Sequence, residues 1–330
     1  MPGLQGFFEN KSILITGGTG SFGKHFIHHI LTQYNPARVI VYSRNEYSQY
    51  QVRQIFLHFK NKLRFFVGDV RDEERLIEAM NRVDYVIHAA ALKHVDVVEY
   101  NPIEAVLTNI LGSANVLRAA IEAGVKKVVF LSTDKACQPI NLYGATKLVA
   151  EKLILNANYY KPIFNCVRYG NVMGARGSVI ELFEKLSQEN KRLTITHPHM
   201  TRFWMSYKQA IDLVLLALQG TPGLTYIGKV PSFRITDLAG AYKNVGFEVV
   251  GLRPGEKLHE ILIHEYEVPR AYDMGNYFVI VPDHTYQDAL TYKSEMQKGC
   301  LVTKPYSSDE NEFLTIPQIK ERIDEEANKC

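Results

Sequence analysis

Tyr143 and Lys147 stand four residues apart in the segment YGATK. On a helix, positions i and i+4 share a face, so the ammonium would sit beneath the phenol. Its charge favours the phenolate, and a tyrosine acidified in this way takes protons near neutral pH. That pairing is common by chance. Ten residues before the tyrosine, however, an apolar run ends in Ser132-Thr133-Asp134-Lys135. Thr133 is placed to hydrogen-bond the same hydroxyl that Tyr143 would deprotonate. Asp134 and Lys135 add an acid and an amine beside it.

A second group of residues suits phosphate rather than proton chemistry. Ser12 to Thr16 (SILIT) runs directly into Gly17-Gly18-Thr19-Gly20-Ser21-Phe22-Gly23. Gly17, Gly20 and Gly23 allow a tight turn and close backbone approach. The helix that follows would aim its N–H groups at a pyrophosphate. Such a loop is informative only between a strand and a helix, which is its setting here. The second strand ends in Tyr42-Ser43-Arg44. An acidic residue at that place binds the ribose hydroxyls of NAD, whereas Arg44 suits a 2′-phosphate. NADP is therefore expected over NAD. Asp69 and Val70 would meet the adenine, and Ala89-Ala90-Ala91 are small enough for a cofactor to cross the sheet edge.

These loops need a frame. Apolar runs at Ser12–Thr16, Arg38–Tyr42, Leu63–Val67, Asp84–His88, Lys127–Ser132 and Ile163–Tyr169 predict six strands. Helical spacing falls between them at Phe22–Gln33, Glu73–Asn81, Asn101–Ala123 and Gly144–Asn156. The alternation predicts an α/β fold of the Rossmann type, a doubly wound parallel sheet with a smaller C-terminal lobe. Residues 1–170 are expected to bind the dinucleotide. Residues 171–330 are expected to hold the substrate, with helices at Val179–Gln188 and Ser206–Leu218 and some segments returning to the main sheet. Asp309–Cys330 reads as a surface helix with a frayed tip.

Composition excludes several classes. The 330 residues are 46% hydrophobic and 22% charged, with a net charge of +3 and mixed signs, so nothing calls for nucleic acid. No run of about 18 apolar residues appears, and no membrane span is expected. Cys137, Cys166, Cys300 and Cys330 lack CxxC spacing, which suits a reducing cytoplasm. His197-Pro198-His199 has no neighbouring Cys or acidic ligand, so no metal site is expected.

The order of glycine loop, Thr133 and YxxxK over nearly the whole chain resembles the extended short-chain dehydrogenases. LSTDKACQPINLYGATK narrows the resemblance. Hexose 4,6-dehydratases acting on thymidine or guanosine diphospho-sugars carry Asp-Glu after the threonine, where this chain has Asp134-Lys135. With AALKHVDVVEYNP, RYGNVMGARGSV, MTRFW and GLRPGEKLHE, that change resembles the inverting UDP-N-acetylglucosamine 4,6-dehydratases that supply pseudaminic acid. Membrane-bound relatives share STDK but have Met in place of Tyr143, which points to the short branch without a membrane region.

The resemblance implies a cofactor regenerated in each turnover, with Lys93, Asn109 and Ser132 joining its site. It implies that Tyr143 takes the 4-hydroxyl proton, a neutral Lys135 the carbon-5 proton, and that Asp134 protonates the departing 6-hydroxyl. Lys93, Asn171, Gly177, Ser178, Glu256 and Tyr306 become substrate candidates, and Arg202 and Arg253 the phosphate ligands. It also implies a homo-oligomer, a dimer or larger. Two alternatives use the same residues: a UDP-sugar 4-epimerase or dehydrogenase, or a dehydratase that stops at a 5,6-ene. A non-catalytic NADP sensor would have no need of the full set.

Overall fold

The structure, a computed structural model, describes residues 6–157, 161–175, 177–242, 245–282, 292, 294 and 296–327. β1 (Ser12–Thr16) is buried at every residue, as expected of a strand covered on both faces. The glycine loop leads into α1 (Ser21–Gln33), then β2 (Arg38–Ser43), α2 (Glu46–Ile55), β3 (Leu63–Val67), α3 (Glu73–Met80), β4 (Tyr85–His88) and α4 (Val95–Tyr100). α5 (Pro102–Ala105) continues through a π-helical stretch, Val106–Leu111, into α6 (Gly112–Glu122). β5 (Lys127–Leu131), α7 (Leu142–Asn156) and β6 (Ile163–Arg168) complete the first half.

The second half alternates between lobe and sheet. α8 (Val179–Gln188), β7 (Leu193–Ile195) and β8 (Thr201–Phe203) lead to α9 (Tyr207–Gln219) and β9 (Thr225–Gly228). β10 (Ser232–Arg234), α10 (Ile235–Ala241), β11 (Phe247–Val249) and β12 (Ile261–Ile263) follow. β13 (Ala271–Asp273), β14 (Tyr277–Ile280), β15 (Cys300–Leu301), β16 (Tyr306–Ser307) and α11 (Ile316–Ala327) end the described chain. The frayed tip expected of the last helix, residues 328–330, lies outside the described residues.

The main sheet runs β15-β13-β14-β9-β6-β5-β4-β1-β2-β3. From β3 to β9 the neighbours are parallel; β14, β13 and β15 add an antiparallel edge. Apolar cores cover its two faces. A third core, built on Trp204, Phe183, Phe233 and Leu238, belongs to the lobe. No helix among the described residues is long and apolar enough to cross a membrane.

Two helices had no signal in the apolar pattern. α2 buries only Gln49 and Val52. It is held instead by its cap, where Asn45 accepts from Ser48 N–H, and by Gln49, which donates to the carbonyls of Ser43 and Phe66. α4 likewise buries a single residue, Val98. The long helix expected over 101–123 widens in its middle, where Thr108 and Asn109 are buried.

His88 is fully buried and joins three elements. Its Nδ1 lies 2.7 Å from the Thr16 hydroxyl and its Nε2 3.0 Å from that of Ser113. Burial, aided by the Lys147 charge, pushes its pKa from 6.5 down to about 3. The histidine is therefore neutral in the fold, and protons bind the unfolded chain first. Its share of stability is whole above about pH 6.5 and is lost as the pH falls toward 3. Unfolding free energy should drop between pH 6.5 and 5 with a slope approaching about 1.4 kcal/mol per pH unit for each such histidine. His88→Gln keeps a donor and an acceptor, and should flatten that slope in urea titrations. His29 and His264, also lowered by burial, supply what remains. An unchanged slope in the variant would show that His88 does not carry the effect.

Candidate active site

A cavity of about 1100 Å³ opens at the carboxyl ends of the parallel strands, with walls from both the sheet loops and the lobe. Open α/β sheets place ligands there. Gly17 has φ +66°, and a Cβ on it would stand 2.9 Å from Ala90 Cα. A Cβ on Gly23 would strike the Gly18 carbonyl, so α1 packs against its own loop only through a glycine. Gly20 differs: its Cβ would meet just the Gly17 carbonyl, at 3.2 Å. No side chain caps α1. Together with Thr19, Ser21 and Phe22 in the wall, this cradle fits a dinucleotide pyrophosphate. Ser43, Arg44, Asp69, Val70, Ala89, Ala90 and Lys93 continue the same wall.

Arg44 is half-exposed, 4.0 Å from Asp69. Asp69 is committed to Arg71, which donates to it through Nε at 2.9 Å and Nη2 at 2.7 Å. Burial alone would raise the Asp69 carboxyl, but Arg71 outweighs it and holds the group below the usual carboxylate range. Asn109, expected at the cofactor, does not line the cavity. Its amide bonds both backbone groups of Leu92 and the Thr146 hydroxyl, so it fixes the loop beside Lys93 instead.

Ser132 and Thr133 leave the end of β5 and enter a 3-10 turn, Asp134–Ala136. Asn141 caps α7 by accepting from Gly144 N–H, and its Nδ2 donates to the Gly255 carbonyl of the lobe loop. A Cβ on Gly144 would collide with the Lys135 carbonyl, so this glycine lets α7 press on the turn. The packing brings Thr133, Asp134, Lys135, Tyr143 and Lys147 to one wall. Thr133 Oγ1 donates to Asp134 Oδ1 at 2.9 Å. Asp134 Oδ2 is buried and has no hydrogen bond among the described residues.

The electrostatics correct two expectations. Lys147 is not among the groups that shift Tyr143: its ammonium lies 3.9 Å from the Phe130 ring centroid, and burial lowers its own pKa to about 8. Burial raises the Tyr143 hydroxyl, and the opposing pull comes from the Lys135 charge and the Thr133 hydrogen bond. Nor is Lys135 a neutral amine here. Its Nζ stands 3.1 Å from Asp134 Oδ1 and 3.1 Å from Glu260 Oε1. Burial alone would lower it, but the two carboxylates outweigh burial and raise it above its ordinary value.

Behind this wall Arg168 is buried between Glu151 and Glu267. Ser132 Oγ donates to Glu151 Oε2 at 2.7 Å, and Arg168 also donates to the Leu262 carbonyl at 2.9 Å. Cys137, His264 and Glu267 bring their ligand atoms within 4.8 Å of one another. Arg168 already donates to both Glu267 oxygens, and burial pushes the Cys137 thiol up to about 12, so the cluster is a hydrogen-bonded one. Glu151, Arg168, Glu260 and Glu267 went unread in the sequence. Glu151 and Arg168 stand out as charges within apolar helix and strand patterns; Glu260 and Glu267 lie in loops and carry no such signal.

From the lobe come Asn171, Gly177, Ser178, Arg202, Arg253 and Glu256, all lining the cavity. Arg202 donates to the Thr201 and Leu258 carbonyls and faces Glu256 at 3.5 Å. The Arg253 side chain is exposed and makes no such bond among the described residues. Tyr306, expected at the substrate, does not line the cavity. It packs between Phe203 and Phe278, and its hydroxyl donates to the Val230 carbonyl at 2.7 Å.

The family model described as "Polysaccharide biosynthesis protein" matches residues 13–282. A Campylobacter jejuni protein named UDP-N-acetylglucosamine 4,6-dehydratase (inverting) is 47% identical over 316 residues, covering 92% of this chain and 94% of its own. A Rickettsia typhi protein named UDP-glucose 4-epimerase is 41% identical, covering 96% of each chain. The X-ray structure of Pen from Bacillus thuringiensis superposes with a TM-score of 0.88 at 39% identity, over 97% of this chain and 99% of that one. DesIV, a dTDP-glucose 4,6-dehydratase from Streptomyces venezuelae solved with NAD and TYD, gives a TM-score of 0.68 at 25% identity, over 75% and 86%.

Removing Arg168 would strand two buried carboxylates. Arg168→Met should cost about 3–5 kcal/mol of stability, as breaking a buried pair does. Adding Glu151→Gln and Glu267→Gln should restore most of it in denaturant titrations. A triple variant no more stable than the single one would refute charge imbalance as the cause.

Proposed function

The chain belongs to the polysaccharide biosynthesis protein family, a branch of the extended short-chain dehydrogenases, and from that premise we propose that it dehydrates UDP-N-acetylglucosamine across carbons 4 to 6 with inversion at carbon 5. The observation that carries this is the acid and amine of Asp134 and Lys135, held beside Thr133 and Tyr143 in one cleft. In the 1–170 region the glycine cradle would hold the dinucleotide, and the lobe of 171–330 would hold the UDP-sugar, with Arg253 on its phosphates. A bound nicotinamide supplies oxidation at carbon 4 and reduction at carbon 6. Tyr143 takes the proton of the 4-hydroxyl, which Thr133 orients. The ketone acidifies carbon 5, and Lys135 removes that proton. Asp134 enters this step protonated, and its Oδ2, which has no hydrogen bond among the described residues, is the oxygen that protonates the departing 6-hydroxyl. Return of a proton to carbon 5 from the opposite face inverts it. The net change is loss of one water.

The free thiols of Cys137, Cys166 and Cys300 support a reducing, cytoplasmic setting. Exposed Tyr100, Ile103 and Leu111, on α4, α5 and the π-helical stretch, support a homo-oligomer packed through these helices.

Incubation with UDP-N-acetylglucosamine in deuterated water, followed by NMR, tests the reaction. A 4-keto-6-deoxy sugar carrying deuterium at carbon 5 is expected. A 4-epimer with no deuterium there would favour the epimerase, which the Rickettsia relatives make the second candidate. Lys135→Met should lower carbon-5 deuteration at least about a hundredfold, the ordinary weight of a general base. Exchange at the parent's rate would move the role elsewhere.

Cofactor choice is tested separately. With Asp69 held by Arg71, Arg44 is the charge left for a 2′-phosphate, which favours NADP. Arg44→Ala should weaken NADP by about 1.5–3 kcal/mol, the worth of a charged hydrogen bond, and leave NAD nearly unchanged. Equal losses for both dinucleotides in a binding titration would remove the case for NADP.

A further inference from the structure

Lys135 must be an amine to take a proton from carbon, yet the fold holds it as an ammonium. Asp134 is its neighbour in sequence; Glu260 comes from the loop before β12. The Glu260 side chain is buried and faces the cleft. Its backbone is pinned on both sides: N–H donates to Ser308 Oγ at 2.9 Å, and the carbonyl accepts from Ser308 N–H at 2.8 Å. Ser308 Oγ in turn lies 2.7 Å from the Thr201 hydroxyl. Oε1 faces Lys135 at 3.1 Å, and Arg202 from β8 lies 3.8 Å away. Oε2 has no hydrogen bond among the described residues. The other titratable or charged groups at this spot are Asp134 on the turn, Tyr143 on α7 and Glu256, which engages Arg202.

We propose that Glu260 is the proton partner of Lys135: the two share one proton, and its move from Nζ to the carboxylate frees the amine that takes the carbon-5 proton. The proposal rests on Lys135 being the carbon-5 base. The step balances within the pair. The ammonium loses one proton, the carboxylate gains it, and the nitrogen lone pair then takes the carbon-5 proton while the C–H electrons move toward the carbon-4 oxygen. Burial makes this transfer accessible, because desolvation penalises the ion pair and spares its neutral tautomer. Glu260 acts through Lys135 and is thus a positioning residue.

A shared proton has a signature that a counterion lacks. The tautomer holds as many protons as the ion pair, so its population does not change with pH while the pair carries one proton. A lysine that must release its proton to solvent would instead gain activity about tenfold per pH unit.

The probe is a UDP-linked 4-keto-6-deoxy sugar with the substrate's carbon-5 configuration, whose exchange in deuterated water needs no redox turnover. The parent enzyme should exchange carbon-5 hydrogen at a nearly constant rate from about pH 6 to 8.5. Glu260→Gln should exchange at least about tenfold more slowly at pH 7, with a rate that climbs about tenfold per pH unit. A parent rate that itself climbs tenfold per unit overturns the proposal, even if the variant fails to fold. So does a variant that equals or outpaces the parent at pH 7, since Glu260 would then merely hold the charge in place. No exchange by the parent at any pH would sink the assignment of Lys135 as base, and this proposal with it.

Discussion

A guanidinium buried at the end of β6 must be neutralised, and much of the cleft follows from how that is done. Arg168 draws one carboxylate from α7 and another from the turn after β12. Glu151 lies one helical turn beyond Lys147, and its second oxygen accepts from Ser132, next to Thr133. One charge cluster therefore fixes the azimuth of α7, the end of β5 and a segment of the lobe relative to one another. An unpaired charge at that depth is far costlier than a misplaced apolar contact. The alignment is thus all-or-none, as a site with tolerances below an ångström requires.

The second cluster, at the front, behaves differently. Lys135 sits between Asp134 and Glu260, with Arg202 and Glu256 behind them. Arg168 has both its carboxylate partners bonded at more than one atom, whereas Asp134 and Glu260 each keep an oxygen without a hydrogen bond. A fully satisfied network is rigid; a partly satisfied buried one is poised for ligand groups or proton movement. The fold separates the two functions in space, stiffness behind the sheet and unsatisfied capacity at its mouth.

What the sequence disclosed follows from range. The glycine loop, the Thr133 turn and YxxxK are local patterns, and strands such as Leu63–Val67 or helices such as Val179–Gln188 have the bounds their periodicity predicts. Glu260 was out of reach because its partner is Lys135, more than a hundred residues earlier, and no periodicity links a loop carboxylate to a distant turn. Tyr306 and Asn109 were assigned to ligands by resemblance, yet their polar atoms are occupied by Val230 and Leu92. Lys147 shows the limit of spacing arguments. The i+4 rule places it on the Tyr143 face, but the length of its side chain lets the ammonium settle on Phe130. α2 escaped notice because a glutamine, not an apolar residue, anchors it.

The same frame serves relatives named as dehydratases and as epimerases. Chemistry confined to carbon 4 needs one proton acceptor at its hydroxyl, the role proposed for Tyr143 with Thr133. Chemistry that extends to carbons 5 and 6 needs an acid and a base on adjacent centres. Side by side, such a pair tends to collapse into a salt bridge that spends both. Here Lys135 is drawn toward Glu260 as well as Asp134, so Asp134 gives up one oxygen and retains the other. Glu260 reaches that position because the chain leaves the lobe through β8 and the loop before β12, and Ser308 pins it there. The turn after β5 provides the proposed acid and amine, and the lobe's return to the cleft brings the second carboxylate that shares the amine with Asp134.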